Sequence, residues 1–303
     1  MRHPQTPKRG ALQGSRDGWL LSMPALAVLV AMTLVAGVYV FKISLYQTNS
    51  FGGKTTYVGL KNYVDAFTTY DMLGNLGRTL GFVIVAVMVE LLLGGLLAFQ
   101  LAKRLRGNGL ATALMIIPFA LAPAVSAIVF RALLDPASGW VDYYLRSWGL
   151  AAHPIQWVSD PTLAWVSLLV LDAWSWTPFV ALILLAGLQS LPRDVFEAAA
   201  LDGAPAGKQL LHITIPLLSP FIAIAGVLRA IQAFKTVDSF LVLTNGGPGN
   251  STTVANLGVY RFILQNFDIG LGAAVAVVVL VTILFLTPLL MRVVGKYAEH
   301  ERA

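Results

Sequence analysis

Asp172, Ser175, Trp176 and Phe179 are spaced i, i+3, i+4, i+7, the interval that brings four side chains onto one face of an α-helix. Arg229, Gln232 and Thr236 repeat the pattern further along the chain. Both sets stand inside long apolar runs. Placing an Asp, Lys or Arg at the centre of a bilayer costs about 2.5–3.5 kcal/mol on insertion scales. Residues of this kind therefore face a partner or a pathway, not lipid. Two polar stripes on consecutive helices imply a shared wet cavity. A structural alternative stands beside that reading: Asp172 and Arg229 neutralise each other inside a bundle, and Lys235 with Asp238 forms a second pair nearer the outer mouth. Glu90, alone in its apolar run, can pair with Arg131 or line a water-filled gap, and a structural role is expected of it. His153 and His212 fall in loops and take no assigned role.

Several chemistries are excluded at once. The chain has no cysteine, which removes disulfides, thiolate catalysis and cysteine-ligated metals. No carboxylate or histidine cluster has metal-ligand spacing, so no metal is expected. The stretch GAPAGKQL, from Gly203, superficially resembles a phosphate-binding loop. Its spacing is one residue short, no Ser or Thr follows Lys208, and no strand precedes it, so this chain is not expected to bind ATP. The sequon at Asn250 carries no weight.

The elements that position the stripes follow from composition. Hydrophobic residues make up 57% of 303 positions and charged residues 12%, far from the balance of a water-soluble domain. The net charge of +6 does not point to nucleic acid, because the basic residues lie between apolar segments, not on a soluble face. A helix needs about 20 apolar residues to cross ~30 Å of hydrocarbon. Six segments qualify: Trp19–Phe41, Leu80–Ala102, Ala111–Leu134, Leu163–Leu188, Phe221–Leu243 and Leu271–Met291. The first follows a basic tail with no small-residue cleavage site after it, and reads as a permanent helix. With the N-terminus inside, the cytoplasmic segments hold 12 basic residues over 70 positions and the outer loops 6 over 93. That bias favours both termini in the cytoplasm. The expected organisation is a cytoplasmic tail (1–18), a six-helix membrane domain (19–291) and a second cytoplasmic tail (292–303).

One cytoplasmic segment exceeds what a connector needs: LPRDVFEAAALDGAPAGKQLLHITIPLLSP, from Leu191. Asp194 can cap a short helix through Ala200, Gly203 and Pro205 break it, and Gly207–Ile215 can resume it before Pro216 and Pro220 lead into the next span. A helix-turn-helix on the inner face suits the docking of another protein. The residues Glu197-Ala198-Ala199, Gly203, Ile213, Ile215 and Pro216 are similar to the signature loop of permeases from binding-protein-dependent ABC importers. That pattern is E-A-A, three residues, G, nine residues, I, any residue, L-P, and the sole departure is Ile215 for Leu. The stretch VLTNGGPGNSTTVANLGVYRFILQNFDIGLGAA, from Val242, looks like the segment before the last span in carbohydrate permeases of the maltose type, specifically the larger of the paired subunits. The likeness covers roughly residues 75–295.

The resemblance implies an all-α integral membrane protein with a type I ABC-importer permease fold, six helices and a cytoplasmic coupling helix. It implies no catalysis by this chain. ATP and magnesium belong to two ATP-binding partner subunits, and a second homologous permease completes the pathway. An extracytoplasmic solute-binding protein delivers a sugar, sugar derivative or polyol, and no nucleic acid takes part. The setting is a bacterial inner membrane. Coupling falls to Glu197, Ala198, Ala199, Asp202, Gly203 and Pro216, within 191–216. The resemblance also places Asp172, Ser175, Trp176, Phe179, Arg229, Gln232, Ala233 and Thr236 where the maltose permease contacts its sugar. Aromatic faces can stack on sugar C–H surfaces, and Asp172, Gln232 and Arg229 can fork to vicinal hydroxyls. Two rivals remain at this point: an ion-coupled secondary carrier, which calls for inverted repeats and broken helices around an ion site, and a non-transporting membrane scaffold.

Overall fold

The computed structural model describes residues 16–47, 55–103 and 107–299. Of the tails expected at 1–18 and 292–303, residues 1–15 and 300–303 lie outside the described residues. The first helix, α1 (Arg16–Ser44), ends where a short antiparallel ladder pairs β1 (Tyr46–Gln47) with β2 (Thr56–Tyr57). Asn62, in α2 (Lys61–Thr68), donates to the carbonyls of Ser44 at 2.8 Å and Tyr46 at 3.0 Å. It thereby satisfies acceptors that a helix end leaves without intrahelical partners.

Helix α3 (Met72–Ala102) starts eight residues before the segment expected from hydropathy, because Asp71 adopts φ 49° and caps it by accepting from Gly74 N at 3.2 Å. At 31 residues, it is longer than the hydrocarbon requires.

The third expected span, Ala111–Leu134, is not one helix. It is α4 (Asn108–Ala120) and α5 (Pro123–Leu133), bent by 94°. Pro123 has no amide proton and pushes the preceding residue out of the helical region, so Leu121 and Ala122 are both extended, with ψ of 143° and 134°. A short amphipathic helix, α6 (Trp140–Ser147), follows on the outer side of the fourth span.

That span is α7 (Pro161–Ser190), capped by Asp160, whose carboxylate accepts from Thr162 N and Leu163 N, each at 2.9 Å. The hairpin is α8 (Arg193–Leu201) and α9 (Ala206–Gln209). Helix α9 runs without a break through a π-helical turn (Leu210–Thr214) into α10 (Ile215–Lys235). Pro216 lacks the N–H that an α-helix would donate to His212, and the wider turn falls directly before it. The fifth span therefore ends at Lys235, not Leu243. Thr236 is extended, and Phe240–Thr244 forms a separate π-helical turn. Helix α11 (Ala255–Tyr260), another π-helical turn (Arg261–Gln265) and α12 (Ile269–Glu299) complete the chain. Among the described residues five helices are long and apolar enough to cross a membrane, or six if the bent pair counts as one span.

Helices α3, α7 and α10 form the centre, with α12 alongside. Lipid is as apolar as leucine, so packing and polar bonds hold such helices together, not expulsion of water. One apolar cluster fills the outer half with Phe82, Leu168, Leu171, Phe234 and Phe240. A second fills the inner half with Ala98, Val180, Leu184 and Leu218. Buried Thr79 ties the outer half together: it donates to Asn75 O at 2.7 Å and accepts from Ala255 N at 3.0 Å. The apolar stretch of α1 buries none of its residues.

Candidate functional site

Between the two apolar clusters, α3, α7 and α10 each supply one charge. Arg229 is 0% exposed, Glu90 0% and Asp172 2%. Arg229 Nη2 donates to Asp172 Oδ2. Arg229 Nε lies 2.5 Å from Glu90 Oε2, an ion pair without the alignment of a hydrogen bond. Among the described residues Glu90 Oε1 and Arg229 Nη1 have no hydrogen-bond partner. Asp172 and Arg229 thus meet, as the structural alternative has it. Glu90 joins them instead of Arg131, whose Nη1 donates to Val242 O at 2.9 Å. Lys235 and Asp238 are exposed and make no ion pair among the described residues.

The rest of the α7 face is less buried. Trp176 sits over the guanidinium, with Arg229 Cζ 4.7 Å from its ring centroid. Trp176 and Phe179 meet edge to face at 5.9 Å, and Phe119 of α4 contacts both, each at 5.4 Å between centroids. Phe119 is the member that sequence reading missed, because the bend after α4 is what brings it there. Ser175 Oγ donates to Leu171 O at 2.9 Å, leaving its lone pairs as acceptors. Gln232 is exposed on α10, and Thr236 Oγ1 donates to Gln232 O at 3.1 Å. The stripes therefore divide into a buried charged triad and, beside it, an accessible patch of aromatic, hydroxyl and amide groups.

The hairpin has the opposite character. Asp194 does not cap α8: Pro192 occupies the cap position without a side-chain bond, and Asp194 sits in the first turn, where a carboxylate favours the positive helix end. At the other end, Gly203 N donates to Ala200 O at 3.1 Å and Ala204 N to Ala199 O at 3.0 Å, with Gly203 at φ +68°. This paired closure requires a left-handed residue, which glycine adopts without steric cost. Gln209 Nε2 then donates to Ala204 O at 2.9 Å, tying α9 to the bend. Glu197, Ala198, Asp202, Gly203 and Pro216 are exposed and Ala199 is buried. Leu201, 90% exposed, leaves an apolar side chain almost bare among the described residues.

Residues 90–297 match the family described as binding-protein-dependent transport system inner membrane component. The chain belongs to this family. It is 33% identical over 276 residues to the trehalose/maltose transport system permease protein MalF of Thermococcus litoralis, covering 91% of this chain and 92% of that one. It is 30% identical over 269 residues to the trehalose transport system permease protein SugA of Mycobacterium tuberculosis, covering 87% and 84%. In fold it is similar to a chain from the crystal structure of a bacterial ABC transporter involved in the import of the acidic polysaccharide alginate. The TM-score is 0.72 at 18% identity, over 95% of this chain and 96% of that one. The chain is thus an inner-membrane component of a binding-protein-dependent transport system, which sets the ion-coupled carrier aside.

Proposed function

We propose that this chain is one of two homologous permeases in an ATP-driven importer of a sugar, sugar derivative or polyol. The observation that carries the reading is the exposed hairpin Arg193–Gln209. Its glycine bend and the bare side chain of Leu201 suit a surface that another protein grips, within a family defined by binding-protein-dependent transport. The carbohydrate class rests on the trehalose and maltose permeases among its relatives. The positive-inside bias supports placing the hairpin and both termini in the cytoplasm.

In this reading Glu197, Ala198, Ala199, Asp202, Gly203 and Pro216 form the handle for an ATP-binding subunit, which holds ATP and magnesium. Because α8 follows α7 by two residues and α9 is continuous with α10, a push on the hairpin is delivered directly to both helices that carry the polar stripes. Those helices then move as rigid bodies. Ser175, Trp176, Phe179, Gln232 and Thr236 line the solute's way. Trp176 and Phe179 stack on the sugar face, while Ser175 and Gln232 meet its hydroxyls. Asp172 and Arg229 act from behind as a buried brace.

The test is ATP hydrolysis by the complex of both permeases and the ATP-binding subunits, reconstituted in lipid with the solute-binding protein. Trehalose and maltose are the first probes. Stimulation by a carbohydrate-loaded binding protein is expected. Stimulation by loaded amino-acid ligands alone, or by none, overturns the carbohydrate assignment.

A further inference from the structure

Away from the stripes, at the outer end of the bundle, lies a polar cavity of about 290 Å³. Three separate segments wall it: the α2–α3 junction (Tyr70 to Arg78), the Asn250–Thr253 turn, and the run from Gly258 to Asn266. All three fall in loops or helix ends on the side that the charge bias assigns to the outside.

Two guanidinium groups are held there. Arg78 Nε donates to Thr253 O at 2.9 Å, and its Nη2 donates to Asn75 Oδ1 at 2.6 Å and Asp71 Oδ2 at 3.0 Å. Arg261 Nη2 donates to Asn245 O at 2.5 Å, a neutral acceptor, and no carboxylate lies within 4 Å of it among the described residues. Thr253 stands between the two: a β-carbon at Gly246 would fall 2.7 Å from both Arg261 Nη2 and Thr253 Oγ1. Only glycine, at φ +76°, lets the turn close against Arg261 in this way. Partial burial lowers the pKa of Arg261 from its usual value, so its charge is incompletely solvated. Against two arginines the cavity offers one carboxylate, Asp71, which is exposed and already shared with Arg78. The remaining polar wall is amide and hydroxyl: Asn250, Thr253 and Asn266.

A preformed pocket with an unpaired guanidinium and an excess of one positive charge fits a carboxylate, which it can meet with charge-assisted hydrogen bonds. We infer that the Arg78–Arg261 pocket receives an acidic side chain of the solute-binding protein when that protein docks on the outer face. The inference rests on the transport reading above. The solute-binding protein is the occupant argued for, not the solute, because the pocket lies among outer loops and shares no residue with the α7 and α10 stripes.

The experiment uses the full transporter in nanodiscs and its solute-binding protein as probe, with affinity measured by biolayer interferometry at low and high salt. Arg261→Gln is expected to weaken docking roughly tenfold at low salt and to flatten the salt dependence. Asn266→Asp, which removes no contact and adds a negative charge to the same wall, is expected to weaken docking in the same direction. Basal ATP hydrolysis and association with the ATP-binding subunits stay at wild-type level in both. If both variants fold and dock like the wild type, the pocket is not the receptor and only this inference falls. If docking is unchanged but the uptake KM for free or delivered solute rises, the carboxylate belongs to the solute and the inference also falls. If the wild-type complex itself responds to no binding protein, the transport reading fails and takes the inference with it.

Discussion

The triad at the centre of the bundle and the hairpin at its inner end both carry charged residues, yet they obey different rules. Glu90, Asp172 and Arg229 are almost wholly buried and depend on one another. Glu197, Asp202 and Gly203 are exposed and depend on backbone shape. In the first region a polar residue is retained because removing its partner strands a charge. In the second its side chain makes no bond among the described residues. Burial thus separates residues that hold this molecule together from residues left open to solvent.

Five single substitutions and one joint replacement test that contrast, the largest expected effect first. Arg229→Met strands two buried carboxylates and is expected to destabilise the chain by about 3–5 kcal/mol. The joint replacement Glu90→Gln, Asp172→Asn and Arg229→Met should recover most of that loss. Thermal unfolding in detergent measures both, and equal melting of single and triple variants would break the triad's claim to interdependence. Gly203→Val places a β-branched side chain at φ +68°. The local cost is about 1–2 kcal/mol, but retention of ATP-binding subunits on purification should fall far more than stability does. Glu197→Lys should act likewise with no change in melting, since that side chain is exposed. Trp176→Ala should reduce uptake roughly tenfold, at about 1.4 kcal/mol per decade, while the complex assembles normally. A large drop in melting instead would move Trp176 into the brace, through its contact with Arg229. Thr79→Val removes the acceptor for Ala255 N and should cost about 1 kcal/mol, with transport unchanged once folded.

Local features were legible in the sequence and distant pairings were not. Gly203 with the small residues before it announced a bend, because a left-handed closure after a helix requires glycine. The long apolar runs announced α1, α3, α7 and α12, because a bilayer sets a minimum length. Glu90 was expected near Arg131 or water, and its meeting with Arg229 depends on how three helices rotate against each other, which no spacing encodes. Composition also hid two breaks. The run from Ala111 to Leu134 is apolar apart from Thr112, Ser126 and Arg131, yet Pro123 turns the chain by 94°. The run to Leu243 turns apolar again at Phe240, only five residues after the helix has ended at Lys235. Hydropathy measures where lipid is tolerated, not whether the backbone stays helical. Phe119 escaped notice for the same reason, since only the turn at Leu121 aims it at Trp176 and Phe179.

That turn has a further consequence. The last carbonyls of α4 and the first amides of α5 are freed well inside a stretch hydrophobic enough for lipid, and hydrocarbon offers them nothing to bond. They must meet protein or water there, beside Phe119.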